Sequence, residues 1–276
     1  MNNIIIEKVN LNTLPCYNTY FYKPNDRMDY SNDLIVGPNF STFIDQFKRI
    51  YWSYTFTENE CKILIDYAKE GSMTVDRRIL LPIQYNDFKE LDDIIRRLTD
   101  VWIPGRWFIR FEGRSPKDGR WEFPMVSPED TIEQIITSAR ALYALNTENN
   151  YQLYFIEFKD YWKKHQEFRV FICNGKINAI SQYYAEHNYY KDMDNDILSQ
   201  LVIDIKEYIG KIIFPPNCTI DVCYIIETQE IELIEIGSFG YTSLTGSAMF
   251  DWMIDYDKLY GTQNDKTYLR INTGDD

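Results

Sequence analysis

Glu167-Phe168-Arg169-Val170-Phe171-Ile172-Cys173, then Asn174-Gly175, then Lys176-Ile177-Asn178-Ala179-Ile180-Ser181-Gln182-Tyr183-Tyr184 is the stretch on which the fold turns. Two apolar runs of strand length flank an Asn-Gly pair, which supplies the positive φ angles of a tight two-residue turn. A hairpin is therefore expected over 167–184. Arg169 stands between Phe168 and Val170 and, by strand alternation, points to the opposite face. A cation inside an apolar strand is costly unless it meets an anion. Either an internal salt bridge, to Glu157 or Glu167, or an anionic ligand satisfies that cost.

Working outward, Thr219–Ile226 and Ile231–Ile236 read as a second hairpin. Between the hairpins, Ile197, Leu201, Ile205 and Ile209 mark a helix that ends at Gly210. A short helix with Met249, Trp252 and Met253 is expected to close the fold. On the other side, Tyr151–Phe158 is an apolar strand, and Ser127-Pro128-Glu129-Asp130 opens a helix that continues through Ile132, Ile135, Ile136, Ala139 and Leu142. Trp107–Glu112 alternates as a strand after the break at Ile103-Pro104-Gly105. Asn86 caps a helix striped with Phe88, Leu91, Ile94, Ile95 and Leu98. Thr57-Glu58-Asn59-Glu60 is a capping box before Cys61, Leu64, Ile65 and Ala68, with Gly71 as the stop. The first forty residues read as irregular with short extended pieces. Strands and helices come in pairs rather than alternating singly, so the class is α+β, with lobes at 1–105 and 106–276.

Of 276 residues, 45% are hydrophobic and 16% aromatic, enough to build a sizeable core and to exclude a disordered chain. Lys+Arg 29 against Asp+Glu 42 gives a net charge of −13, which disfavours broad contact with nucleic acid and suits a basic protein partner. No apolar run approaches the ~18 residues of a membrane helix, and no signal peptide opens the chain. Cys16, Cys61, Cys173, Cys218 and Cys223 are scattered, without a Cys-x-x-Cys pair. These features point to a reduced, soluble, cytoplasmic monomer. With only His165 and His187, a multi-histidine metal site is excluded, and no glycine-rich phosphate loop or Gly-x-Ser-x-Gly is present.

Three cations, Arg110, Arg114 and Lys117, fall within eight residues, two of them on Gly113–Gly119. They could converge on phosphates or simply face water on a turn. Asp221 and Glu235 lie on the two strands of the second hairpin, opposite each other or one residue off. Inward carboxylates there suit a magnesium ion, and outward ones a wet sheet face.

The order of these features resembles the cell division cycle protein 123 family of atypical ATP-grasp proteins. It is carried by Phe108-Ile109-Arg110-Phe111 leading to Ser115-Pro116-Lys117-Asp118, and by Glu167-Phe168-Arg169-Val170-Phe171. Ile180-Ser181-Gln182-Tyr183, Asp221-Val222-Cys223-Tyr224, Glu235-Ile236-Gly237-Ser238-Phe239-Gly240 and the tail Ser247–Trp252 continue it, so that it covers roughly 106–253. The resemblance implies two α+β lobes enclosing ATP and magnesium. It implies that Arg110 replaces a phosphate-binding lysine, that Arg169 is the family's arginine, and that Asp221 is a metal ligand. It places the adenine-binding hinge at Ile156, Glu157, Phe158 and Lys159. Glu235-Ile236-Gly237 stands where the family has Asp-Phe-Asn, so Glu235 is the second metal ligand and Gly237 one ligand fewer. The implied role is an assembly factor for eukaryotic initiation factor two that binds its gamma subunit. The alternative is a ligase that activates a carboxylate or other acceptor by phosphoryl transfer.

Overall fold

The computed structural model describes residues 3–14, 16–17, 31, 33–34, 37–72, 89–160, 166–243, 245–262 and 265–274. The expected cap at Asn86, the start of its stripe at Phe88, and His165 lie outside them. In chain order the elements are β1 (Ile4–Val9), β2 (Tyr51–Thr55), α1 (Glu58–Ser72), α2 (Lys89–Val101) and β3 (Trp107–Arg110). Then come α3 (Pro128–Ile136), α4 (Ala139–Thr147), β4 (Gln152–Glu157), β5 (Glu167–Cys173) and β6 (Lys176–Gln182). The last are α5 (Asn195–Ile209), β7 (Cys218–Ile225), β8 (Glu230–Gly237), α6 (Tyr256–Tyr260) and β9 (Thr267–Asn272). Two compact units result: a larger one of Met1–Lys48 with Asp160–Asp276, and a smaller one of Arg49–Lys159. The point near residue 105 where the sequence suggested a boundary falls inside the smaller unit, because β2 and β4 pair across it.

In the smaller unit β4 lies between β2 and β3, antiparallel to both. Trp52 stacks on Phe155 at 3.9 Å between centroids, and Trp102 and Trp107 meet Trp52 edge-on. Around this aromatic centre, Leu64 of α1, Leu91, Ile94 and Leu98 of α2, and Ile132 and Ile135 of α3 are buried. The capping box forms as expected: the Glu60 amide donates to Thr57 Oγ1 (3.2 Å) and the Thr57 amide to Glu60 Oε2 (2.7 Å). Gly71 does not stop α1, which runs on to Ser72, since glycine permits a helix end without forcing one. The single helix expected through Leu142 is broken at Thr137–Ser138. Thr137 Oγ1 donates back to the Glu133 carbonyl, and Ser138 caps a new helix by accepting from the Ala141 amide. β3 ends at Arg110, short of Glu112, because the Phe111 amide turns to the Arg114 carbonyl and the Glu112 and Gly113 amides donate to the Glu148 carboxylate.

The larger unit is a six-stranded sheet in the order β1-β9-β6-β5-β7-β8. The two expected hairpins are β5–β6 and β7–β8, with Asn174 and Gly175 at φ 53° and 71° in the first turn. The last strand, β9, runs parallel to both β1 and β6 and separates them. Upstream of α6 and β9, the expected helix with Met249, Trp252 and Met253 is replaced by turns. Ala248 has φ 49°, and the Asp251 carboxylate takes the amides of Met253 and Ile254, which removes them from any helical ladder. One face of the sheet carries Val170, Ile180, Ile220 and Leu269 and is covered by α5, whose Lys206 and Asp204 reach Thr267 and Tyr224 on that face. The other face carries Phe171, Ala179 and Tyr268 and is covered by the chain after β8 through Phe239, Phe250, Trp252, Leu259 and Tyr260.

Arg270 of β9 ties this cover down. It donates to Glu7 Oε2 and to both Asp255 oxygens, and Lys258 bonds Glu7 and Asp255 in turn. Burial opposes the Asp255 charge, but Arg270 outweighs it and holds the carboxyl below its ordinary value. Its stabilisation is therefore present above the unfolded aspartate value and is lost as pH falls through the depressed folded one. We expect Arg270→Met to lower unfolding free energy by about 3–5 kcal/mol in urea titration, because it strands buried carboxylates. Breaking the exposed Lys176–Asp265 pair should leave the midpoint unmoved. Asp255→Asn should flatten the acid limb of the stability profile.

Candidate functional site

Register alone lays out the first half of the site. Glu7 faces Arg270, Arg270 faces Ser181, Ser181 faces Arg169, Arg169 faces Asp221, and Asp221 faces Glu235. These six side chains form one row across all six strands, on the face that carries Phe171, since directly opposite residues share a face. The expectation that Asp221 and Glu235 lie opposite or one residue off resolves to directly opposite, with a register shift just beyond Asp221.

At the centre Arg169 is buried, and its fork grips one carboxylate. Nε donates to Asp221 Oδ1 at 2.8 Å and Nη2 to Oδ2 at 2.7 Å, while Nη1 donates to the Gly246 carbonyl at 2.6 Å. The partner is thus Asp221, where the sequence had suggested Glu157 or Glu167. Glu157 belongs to the smaller unit and pairs with Lys159 at 2.7 Å. The Tyr183 ring lies 4.7 Å from the guanidinium. Burial works against the Arg169 charge, but Asp221, with Tyr183 and Glu235, outweighs it and raises the guanidinium further. Arg169 in turn pulls the Tyr183 phenol down, yet burial and the carboxylates Asp221, Glu167 and Glu235 prevail and push it up to about 12.

A cation could use this pair. Each Asp221 oxygen accepts one hydrogen bond from Arg169, which leaves lone-pair capacity on both. Glu235 is half-buried on the neighbouring strand. Among the described residues no three Asp, Glu, His or Cys side chains converge on one point, so this is a two-carboxylate set. Gly237 adds nothing and has no room to: a Cβ there would lie 2.8 Å from Thr219 Oγ1. The donor set therefore fits a hard cation that keeps most of its water and phosphate ligands, as magnesium does.

The smaller unit holds the remaining candidates. Arg110 is buried and donates to the Phe111 carbonyl, and its charge acts on the nearby Glu148. Glu112, next along, accepts from Asn150 and from the Tyr154 hydroxyl. Burial pushes the Glu148 carboxyl up, against the hydrogen bonds and the Arg110 charge that favour ionisation. Arg114 lies over the Tyr143 ring at 3.8 Å, and exposed Lys117 lies 5.7 Å from the Phe108 ring. Lys117 thus shares the Phe108–Arg110 face, while Arg114 is drawn to α4. Gly113–Gly119 is no free turn. Gln134 Nε2 donates to the Pro116 carbonyl, Ser138 Oγ to Asp118, and a Cβ on Gly119 would lie 2.6 Å from Gln134. At the hinge, Ile156 is buried, and the amides of Glu157 and Phe158 already donate to Ile50 and Arg106 carbonyls. A nucleobase at Ile156–Lys159 would therefore use other groups of that segment.

Sequence reading missed Ser181, whose hydroxyl accepts from the Met249 amide, as well as Tyr183 and the Gly246 carbonyl. It also missed Arg270, although Leu269-Arg270-Ile271 repeats the pattern of a cation between apolar neighbours that singled out Arg169.

The model of the D123 family matches residues 129–272. Cdc123 from Schizosaccharomyces pombe aligns with a TM-score of 0.59 and 15% identity, over 85% of this chain and 95% of that one. Its C-terminally truncated form aligns at 0.59 and 15%, over 84% and 92%. Comparison with curated protein sequences finds no match. At that identity the solved structures speak to fold, and the fold shared with Cdc123 is of the expected α+β class.

Arg169→Lys keeps the charge but cannot span both Asp221 oxygens and the Gly246 carbonyl at once. We expect it to cost about 1–3 kcal/mol, read as a lower urea midpoint at unchanged m-value. No change would mean that the fork geometry contributes nothing.

Proposed function

Given that the chain belongs to the D123 family, we propose that it binds ATP with magnesium and serves as an assembly factor for eukaryotic initiation factor two, through the gamma subunit. The observation that carries the nucleotide part is the pairing of Asp221 directly with Glu235, inside the family-matched stretch and beside a buried guanidinium. In this reading Asp221 and Glu235 hold the magnesium ion, whose contribution when bound is to neutralise and orient phosphate oxygens. Arg169 holds Asp221 in orientation before the metal binds and adds positive charge for phosphate. Exposed Lys117 and half-exposed Arg114 meet phosphate oxygens most readily, while Arg110 supports them from its buried position. Ile156, Glu157, Phe158 and Lys159 flank the nucleobase.

The partner reading draws on the family and on the net charge of −13, which favours a basic protein surface over nucleic acid. In this reading the chain works as a cytoplasmic monomer; among the described residues no helix is long and apolar enough to cross a membrane.

The test is to titrate ATP with and without magnesium and follow thermal stabilisation. Asp221→Asn and Glu235→Ala should each weaken magnesium-ATP binding at least about tenfold, equivalent to about 1.4 kcal/mol, while Glu230→Ala on the exposed end of β8 should bind like the parent. If both variants bind as tightly as the parent, the carboxylates serve the sheet alone. Co-purification of the gamma subunit without ATP turnover supports the assembly role. ATP consumption that depends on an added carboxylate acceptor would replace it with a ligase.

A further inference from the structure

The two buried guanidiniums of the row are held very unequally. Arg270 is locked between two carboxylates, Glu7 and Asp255, and also donates to the Met249 carbonyl at 3.1 Å. Arg169 grips a single carboxylate, Asp221, and otherwise touches a neutral carbonyl, Gly246, and the Tyr183 ring. Both Asp221 oxygens lie under its fork. A cation shared by Asp221 and its cross-strand partner Glu235 would therefore bind oxygen that already accepts from Arg169. Two positive centres on one buried carboxylate also repel strongly, because the interior screens charge poorly.

We infer that Arg169 is the resident counter-ion of the carboxylate pair, and that a divalent cation binds by displacing its fork from Asp221, which frees the Gly246 carbonyl. This rests on the proposed metal role of Asp221 and Glu235 and adds a mechanism to it. The guanidinium holds the carboxylate charged and oriented while no metal is bound, so a buried anion is never left bare. On metal binding it becomes a mobile cation tethered beside the site, and the hydrogen bond that pins Gly246 to β5 is lost. Ser181 and Arg270 keep hold of Met249, three residues further on, so the release is confined to the start of the covering segment.

The experiment uses the full chain and magnesium chloride alone, with sodium chloride at matched ionic strength as the control. Arg169→Met should melt at lower temperature than the parent without metal. Magnesium should raise its melting temperature at concentrations at least about tenfold below those the parent needs, because the competitor is gone. Adding Asp221→Asn to that variant should abolish the response. In the unaltered protein, the Nε–H resonance of Arg169, assigned by its loss in Arg169→Lys, should shift as magnesium is added. If Arg169→Met and the parent respond at the same concentration, the competition is refuted while the metal reading stands. If Arg169→Met shows no magnesium response, Asp221 takes no metal and both fall. Should Arg169→Met fail to fold, the resonance decides: a signal unmoved at magnesium concentrations that stabilise the parent refutes the inference, and a parent that magnesium neither stabilises nor shifts refutes both.

Discussion

Burying a guanidinium is costly, and the larger unit does it twice on one face of one sheet, at Arg169 and Arg270. Each is tolerated because a carboxylate stands directly opposite on the neighbouring strand: Asp221 for Arg169, Glu7 for Arg270. That pairing works in only one register. A slip of one residue would turn either arginine away from its carboxylate and toward the apolar face packed with Val170, Ile180 and Leu269. The charged row thus fixes strand alignment as firmly as the apolar residues do, and it couples the last strand to the first.

The same row holds the cover. The Gly246 carbonyl, the Met249 amide and the Met249 carbonyl are bound by Arg169, Ser181 and Arg270 in turn, and Asp255 anchors the turn before α6. Between those points Phe250 and Trp252 drop into the aromatic cluster around Phe171, Phe239 and Tyr260. Polar contacts set where the segment lies, and aromatic burial supplies most of the free energy for keeping it there. A buried ion pair adds little net stability against a well-packed apolar substitute.

The smaller unit treats its charges differently. Gly113–Gly119 carries two of the three cations that look like a solvated turn, yet Pro116, Asp118 and Gly119 are clamped against α3 and the start of α4. A held loop presents Lys117 at a low entropic cost to any anion it meets. Arg110, by contrast, has its charge shared with nearby Glu148 in the interior.

Local chemistry alone was enough for the hairpins, the capping box and most helices, because the Asn-Gly turn, Ser and Thr caps and apolar periodicity act over a few residues. The candidate site residues were also legible one at a time, as charges in apolar strands. Several features were not. The break at Thr137–Ser138 depends on side-chain hydroxyls that compete with a helical ladder the apolar pattern favours. The turns around Asp251 depend on a carboxylate that the chain folds back upon. The place of β9, between β1 and β6, joins strands far apart in the chain, and no local pattern encodes such neighbours. Which carboxylate Arg169 would choose was likewise open in the sequence. Only the register of β5 against β7 decided it, because an ion pair needs a few ångströms of space and the sequence specifies only order along the chain.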